Sequence, residues 1–430
     1  MKSPFQNSYR IIFQFIMLFG FIANIKIGPI TTRRFMMLIA LLYLINNWNI
    51  VKNLIGLIKP SIKICLLLLF GCFFIALMHS GGATSSEINK YFSTREVTTL
   101  VLGITIMAFW CAVEIKSFDK FAKLIVAVIL LQSICTFISA VYQPFRIYVA
   151  ENFMTESYIE RSENIIYGYG GRAAGLGIAW SMGSLVLAYG CFMLIALKLK
   201  EEISMLWFGV CYAVILGATA LMGRTGLLAE LVFLIYYGIL GGKVKNMFAL
   251  MFVAVGSVFV INQVLSMYDA YVAEVTQEWM LQITDEDKVE SINGAVVRGG
   301  FPDFNKDFIF GTGLQLGHYG VYNFAADSGY IRTYTSIGVV GMVCYYGGVL
   351  FLLISTLSKR VSSNMKKLFW VGAAVLYVVE YKEPFIGMTV YAWILFTTGL
   401  MLSMDSKYKR INENINSRRL LSSESSGAKV

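Results

Sequence analysis

Long apolar segments recur along almost the whole chain, and shorter polar segments separate them. A helix needs about 20 apolar residues to cross the roughly 30 Å hydrocarbon core of a bilayer, and it satisfies its backbone hydrogen bonds internally. Segments near that length lie at residues 11–25, 35–50, 62–79, 97–115, 121–142, 173–197, 204–222, 225–241, 247–265, 332–355, 367–380 and 385–404. The pattern predicts an all-α polytopic integral membrane protein with about 12 transmembrane helices.

Two polar segments are too long to be tight connections between these helices. The first covers residues 143–172 and is rich in Glu and Tyr, and the second covers residues 266–328. We expect residues 1–404 to form a single transmembrane domain that carries both segments as large external loops. Residues 405–430 are polar and rich in Ser, with too few apolar side chains to pack, and are predicted to be a disordered cytoplasmic tail.

The positions of the charged residues predict how the chain is oriented. Apolar residues make up 57% of the chain and charged residues 14%, and the net charge of +10 raises the question of a nucleic-acid partner. With the N-terminus in the cytoplasm, about 22 of the 36 Lys and Arg lie inside, whereas about 18 of the 26 acidic residues lie outside. This positive-inside pattern explains the basic excess without nucleic acid. It predicts that both termini are cytoplasmic and both long polar segments are external.

The cysteines and histidines give no basis for a disulfide framework or for a zinc site. The seven cysteines all fall within apolar segments rather than in external loops, so no disulfide framework is expected. With only His79 and His318 in the chain, and no pair of cysteines at ligand spacing, a zinc site is not expected either. Asp285 and Asp287 have a spacing that could bind a divalent cation, but their place after Thr284 is more typical of the first turn of a helix. We expect no metal.

Two arginines lie where the chain enters predicted membrane helices. Arg172 is flanked by Gly171 and Ala173, and it either extends to phospholipid headgroups or lies where a ligand approaches the backbone. Arg224 joins two apolar segments with almost no loop, which is costly in a membrane unless the arginine has a partner or lines a wet cavity. Glu230, six residues later, is either its counter-charge or a residue that faces the same cavity.

The stretch from Arg298 to Gly341 combines polar chemistry with glycine-broken loops. Arg298 is followed by Phe310-Gly311-Thr312-Gly313, by His318 and by Asp327-Ser328-Gly329-Tyr330. A lone Gly-x-Gly is weak evidence of phosphate binding. The arginine before it and the aspartate after it make this stretch the main candidate for a functional site.

A second charged group, Glu380-Tyr381-Lys382-Glu383-Pro384, ends the eleventh apolar segment. It is either a re-entrant corner close to the candidate site or an exposed turn. An exposed turn is the simpler interpretation, because charged residues at a helix end ordinarily meet water.

The order of these motifs resembles the O-antigen polymerase (Wzy-type) family, which is related to the O-antigen ligases. The resemblance rests on Gly171-Arg172-Ala173-Ala174-Gly175-Leu176, Met222-Gly223-Arg224-Thr225-Gly226, and the stretch from Arg298 to Gly341. It covers about residues 165–345, and each motif alone is short. It implies a GT-C-like glycosyltransferase in the bacterial inner membrane. Its donor and acceptor would be undecaprenyl-diphosphate-linked oligosaccharides, and a chain-length regulator protein would be compatible with such a reaction.

The implied reaction suggests roles for the candidate residues. Arginine can bind a diphosphate with two parallel hydrogen bonds and without a metal, so Arg172, Arg224 and Arg298 are candidate diphosphate-binding residues. The acceptor hydroxyl must lose a proton, for which Asp327 is the first candidate and His318 the second. Related ligases commonly have a histidine where this chain has Asp327. This departure favours polymerase over ligase and leaves the identity of the base open.

Three other functions stay open at this stage. O-antigen ligation and the polymerisation of another lipid-linked polysaccharide use the same class of donor. Transport or flipping of a lipid-linked sugar suits a chain with both ends inside, but it predicts charges spread through the centre of the bundle and a repeat between the two halves. Here the charges cluster at the external side, and no such repeat is visible.

Overall fold

The computed structural model describes residues 4–28, 30–55, 67–69, 71, 74, 98–154, 173–178, 180–241, 256, 309–311, 328–358, 361–382, 385–386 and 390–406. Within these ranges the chain is mostly helical, as the apolar pattern predicts. The described residues also include a two-residue antiparallel ladder between β1 (Lys26–Ile27) and β2 (Ile30–Thr31).

The first half of the chain contains α1 (Pro4–Ala23), α2 (Thr32–Asn46), α3 (Trp48–Ile55), α4 (Thr98–Glu114), α5 (Phe118–Val141) and α6 (Gln143–Phe153). The second half contains α7 (Trp180–Leu199), α8 (Met205–Met222), α9 (Arg224–Gly241), α10 (Gly329–Thr356), α11 (Ser363–Val379) and α12 (390–406). The segments predicted at 62–79 and 247–265 lie outside the described residues, apart from isolated positions.

Four of the described helices are long and apolar enough to cross a membrane. They are Phe118–Val141, Ser181–Leu199, Met205–Met222 and Gly329–Thr356. Helices α1 and α4 contribute shorter apolar stretches, Ser8–Ala23 and Gly103–Glu114. The protein is therefore an all-α membrane protein.

The predicted segment 173–197 is wrong at its start, because the helix there begins only at Trp180. Residues 173–178 form an irregular strip whose backbone is held by side chains of α5. Ser139 Oγ donates to the Ala174 carbonyl at 2.6 Å, and Gln132 Nε2 donates to the Leu176 carbonyl at 3.1 Å. These hydrogen bonds pair backbone carbonyls that would otherwise be paired within a helix. The apolar strip can therefore stay non-helical.

Three further boundaries differ from those predicted. The segment 35–50 is interrupted at Asn47, whose Nδ2 donates to the Tyr43 carbonyl at 2.9 Å, and α3 follows. Part of the 143–172 loop is the helix α6, in which proline occupies the first turn, where no backbone donor is needed. The tail begins later than residue 405, because α12 continues to residue 406.

Helix α7 is the centre of the helical bundle. It packs against α5, α8, α9 and α11, and its side chains are buried from Leu185 to Leu197. Tyr189 crosses to α11, where its hydroxyl donates to the Gly372 carbonyl at 2.8 Å. The ring of Phe192 packs at 5.6 Å from that of Phe233 in α9.

Polar contacts gather several helix ends at one side of the bundle, here called the Arg10 end. Arg10 of α1 forms an ion pair with Glu114 of α4, and Tyr43 of α2 donates to the same carboxylate. Lys200, just after α7, pairs with Asp119 at the start of α5.

Asp405 of α12 joins these helix ends, since it accepts a hydrogen bond of 3.1 Å from the Phe118 backbone. In the neighbouring loop, the hydrogen bond from Lys123 holds the pKa of the Glu202 carboxyl below its ordinary value. Glu202, just after the end of α7, accepts a hydrogen bond from Lys123 near the start of α5, whereas Ser184 near the start of α7 contacts Gly226. The junction of α8 and α9 therefore lies at the opposite side of the bundle, here called the Arg224 end.

Candidate functional site

Arg224 lies at the junction predicted from the sequence. Helix α8 ends at Met222, the extended residue Gly223 follows, and α9 begins at Arg224. The side chain is half-buried. The next glycine, Gly226, is held against α7, where its backbone N–H donates to Ser184 Oγ at 3.1 Å. The arginine is therefore carried on a rigid turn between two apolar helices.

The irregular strip 173–178 contacts the same junction. The Ala173 N–H donates to the Leu221 carbonyl at 3.1 Å, near the end of α8. Gly177 has a positive φ of 70°, and a Cβ at this position would lie 2.1 Å from the Ala23 carbonyl oxygen at the end of α1. The strip thus connects the end of α1 to the Arg224 junction, and only glycine fits at its point of closest approach.

The charged group at 380–384 also reaches this end, and the interpretation as a merely exposed turn is wrong for its first residue. Glu380 is 1% exposed. Its Oε1 accepts a hydrogen bond of 2.9 Å from the Tyr346 hydroxyl, and its Oε2 accepts one of 2.7 Å from the Ile386 N–H. The Glu380 carboxylate thereby holds Ile386 close to the end of α11, and residues 380–382 and 385–386 are together called the re-entrant corner.

This corner joins two regions that lie far apart in the chain. The Glu380 carbonyl accepts a hydrogen bond of 2.9 Å from the Gly329 N–H at the start of α10. Lys382 Nζ donates to Thr225 Oγ1 at 2.9 Å. The corner therefore brings the beginning of α10 and the Arg224 junction to one place.

Two glycine motifs of the candidate stretch approach each other closely. Helix α10 is broken at Gly338, whose φ of 65° and ψ of −175° are essentially restricted to glycine. A Cβ on Gly311 would lie 2.5 Å from the Gly338 backbone nitrogen, and a Cβ on Gly338 would lie 2.3 Å from the Ile309 carbonyl oxygen. Residues 309–311 thus pack backbone to backbone against the break in α10.

The structure describes one of the five predicted site residues. Arg224 is described and lies where the sequence predicts. Arg172, Arg298, His318 and Asp327 lie outside the described residues, as do Asp285 and Asp287. Their proposed roles stay predictions.

Glu230 is buried within the bundle, and its contacts are with neutral groups. Thr219 Oγ1 donates to its Oε1 at 2.6 Å, and the Tyr212 hydroxyl donates to its backbone carbonyl at 2.9 Å. Both partners lie on α8. Arg224 is not among these contacts, so the interpretation of Glu230 as its counter-charge finds no support.

Sequence reasoning missed the importance of Glu380 and Lys382. Their position between two apolar segments of the sequence is the feature that could have identified them. A carboxylate at such a position is costly to bury, and it is kept only where donors of its own surround it.

Arginine and lysine at one end of a bundle, close to a rigid turn, form a binding surface suited to anions. Charge-assisted hydrogen bonds from such groups are roughly twice as strong as neutral ones. Comparisons of this chain with protein families, with curated proteins and with solved structures find no match.

Proposed function

We propose that this protein is an O-antigen polymerase, a glycosyltransferase that joins undecaprenyl-diphosphate-linked oligosaccharide repeat units into longer chains. Arg224 carries this proposal. It is a half-buried arginine held at one end of an apolar bundle, where the 173–178 strip, the re-entrant corner and the start of α10 converge. A lipid-linked diphosphate would present its charge at this depth of a membrane.

The proposed architecture has about 12 transmembrane helices of the GT-C-like kind in the bacterial inner membrane. Both termini would lie in the cytoplasm, with the Arg10 end facing inward, and the Arg224 end would face the periplasm. The segments 143–172 and 266–328 would be periplasmic. The excess of Lys and Arg in the predicted cytoplasmic segments of the sequence supports this orientation.

In the proposed reaction, the acceptor hydroxyl oxygen forms a bond to the anomeric carbon of the donor sugar. The bond from that carbon to the diphosphate breaks, and the diphosphate leaves with the electron pair. Arg172, Arg224 and Arg298 would bind the leaving group, and its growing charge would strengthen those contacts in the transition state. Asp327, or alternatively His318, would take the proton of the hydroxyl.

Deleting the gene tests this function directly, because the lipopolysaccharide pattern on a gel separates the candidate reactions. A missing polymerase leaves a single repeat unit on the lipid core. A missing ligase leaves bare core, with polymer retained on the lipid carrier. An unchanged ladder, or the ligase pattern, would contradict the proposal.

We expect polymerisation by the purified protein to continue in EDTA, because arginine can meet the charge of the diphosphate without a metal. The measurement is polymer length with and without the chelator. Loss of activity in EDTA, restored by magnesium or manganese, would instead point to a metal held by Asp285 and Asp287.

Transport of a lipid-linked sugar is the second candidate function, and one specific observation favours it. Glu230 is a fully buried acid inside the bundle, where transporters place ionisable groups. The variant Glu230→Gln keeps an acceptor for Thr219 and separates the two functions. A polymerase should keep its ladder, whereas a transporter dependent on this acid would lose both the polymer and the single-repeat band.

A further inference from the structure

Lys382 lies at the Arg224 end, just after α11, and its side chain reaches the start of α9. Its Nζ donates to Thr225 Oγ1 at 2.9 Å, across 157 residues of sequence. Thr225 directly follows Arg224 and is itself buried. Lys382 is exposed, so it can also contact a ligand at this place. The fold thus brings a second cation to the residue next to Arg224.

The position of Lys382 is fixed by the buried residue two places before it. The Glu380 carboxylate accepts hydrogen bonds from Tyr346 of α10 and from the backbone of Ile386. These contacts anchor the corner from both sides. The free end of a lysine ordinarily samples many rotamers, but an anchored backbone restricts where its ammonium group can go.

Ser328 provides a separate observation at the same corner. It is 1% exposed, and its hydroxyl has no hydrogen-bond partner within the part of the chain that the structure describes. The next residue, Gly329, donates its N–H to the Glu380 carbonyl. A buried hydroxyl ordinarily has a hydrogen-bond partner, so the Ser328 hydroxyl is able to donate a hydrogen bond to a ligand at the corner.

We propose that Lys382 binds a phosphate oxyanion of the lipid-linked diphosphate, together with Arg224. This inference rests on the function proposed above. The guanidinium of Arg224 can bind one phosphate through two hydrogen bonds, and the ammonium of Lys382 supplies a compact charge for another oxyanion. Two cations from distant parts of the chain can therefore meet the two phosphates of one leaving group.

Binding of farnesyl diphosphate, a short isoprenoid diphosphate, tests this inference on the purified full chain in phosphatidylcholine nanodiscs. Lys382→Gln should raise the Kd by about tenfold, since it removes one charge-assisted hydrogen bond. Lys382→Arg should stay close to the unaltered protein. Lys367→Gln is the matched control: it makes the same change at an exposed lysine of α11 at the opposite end, and it should leave the Kd unchanged.

A double-mutant cycle asks whether the two cations meet the same anion. If they do, the effects of Arg224→Gln and Lys382→Gln on the Kd should not be simply additive in free energy. Additive effects would mean independent sites and would overturn the inference. Unfolding temperatures of all variants are measured in parallel. If Lys382→Gln does not fold, Lys382→Met, which keeps the apolar stem, takes its place.

The possible failures can be told apart. If the unaltered protein binds farnesyl diphosphate and Lys382→Gln binds it equally well, the inference is wrong and the proposed function stands. If the unaltered protein shows no saturable binding, both fall. Lys382 could instead bind a phospholipid headgroup. In that case Lys382→Gln would bind farnesyl diphosphate with an unchanged Kd but would copurify with less phosphatidylglycerol than the unaltered protein. That result would also overturn the inference.

Discussion

Glu380 illustrates how a single carboxylate shapes this membrane protein at the scale of one residue. It is buried among aromatic side chains of α10 and α11, and the Tyr346 hydroxyl that donates to it also contacts Thr333 Oγ1 at 3.0 Å. Hydrogen bonds within an apolar bundle are costly to leave unmade. The corner that carries Lys382 therefore depends on a small number of donors.

We predict that Tyr346→Phe destabilises the protein by about 1–3 kcal/mol, because it leaves one oxygen of the buried Glu380 carboxylate without its donor. Thermal unfolding of the purified protein in detergent measures the change. Tyr381→Phe is the control. It removes the hydroxyl of an exposed neighbour and should change stability by no more than about 0.5 kcal/mol. Equal effects of the two variants would contradict this role of Glu380.

A second prediction at this scale concerns the residues proposed for the chemistry. Arg298→Ala should abolish chain growth, and Arg298→Lys should largely fail to restore it, because lysine lacks the planar two-pronged contact with a diphosphate. Asp327→Asn should also be inactive if Asp327 is the base, since the amide cannot accept the proton. The lipopolysaccharide ladder is the measurement.

Protein abundance is compared in every variant, because a misfolded protein would give the same gel. Arg34→Lys, at an exposed arginine of α2, is the control and should give a normal ladder. Normal polymer from both Arg298→Lys and Asp327→Asn would contradict the proposed roles. Arg172, Arg224 and His318 would then become the residues to test.

At the scale of elements, α10 is a helix whose shape depends on a glycine motif, because it is broken at Gly338. Its break at Gly338 lies nine residues after Gly329, about 13 Å along the helix axis. The break leaves backbone groups without helical partners, and residues 309–311 pack against it. Irregular backbone at such a depth is stable only where other parts of the protein cover it.

We predict that Gly338→Ala destabilises the protein by more than about 2 kcal/mol, since alanine is strained at this φ and ψ and its Cβ would overlap the Ile309 carbonyl. Gly347→Ala is a matched control in the same helix. Within the described part of the chain a Cβ there meets no atom within 4 Å, so this variant should be neutral or more stable by about 0.5–1 kcal/mol. Thermal unfolding in detergent distinguishes them. A neutral Gly338→Ala would show that the break does not need glycine.

At the scale of the whole molecule, the two ends of the bundle differ in the charged side chains that they carry. Ion pairs such as Arg10 with Glu114 tie helix starts and helix ends together at one end. The opposite end carries Arg224, Lys382 and the re-entrant corner. A polymerase of the proposed kind needs the second end in the periplasm, where the lipid-linked repeat units are joined.

We predict that an impermeant thiol reagent, added to intact spheroplasts, labels Tyr381→Cys but not Glu202→Cys, in a background without native cysteines. Tyr381 is exposed at the Arg224 end, and Glu202 is exposed at the Arg10 end. Opening the membrane should make Glu202→Cys reactive. The reverse pattern would invert the topology, and the proposed site would then face the cytoplasm.

Much of the helical framework follows from local sequence. The turn between α8 and α9 was predicted at Met222-Gly223-Arg224, and it lies there, because two apolar segments leave no residues for a loop. A membrane helix satisfies its own backbone hydrogen bonds, so its existence depends on its own residues rather than on distant ones. The same local rule fails at residues 173–178, because distant side chains on α5 hold that backbone instead.

The sequence by itself determined that this is a helical membrane protein, which segments are apolar, and that Arg224 stands at a helix junction. Only the tertiary structure decided that Lys382 reaches Thr225, that Gly311 packs on Gly338, and that Glu380 is buried. The physical reason is the range of the interactions. Hydrophobicity acts on each segment separately, whereas these contacts join residues distant in the chain, and which helix ends meet depends on side-chain packing across the whole bundle.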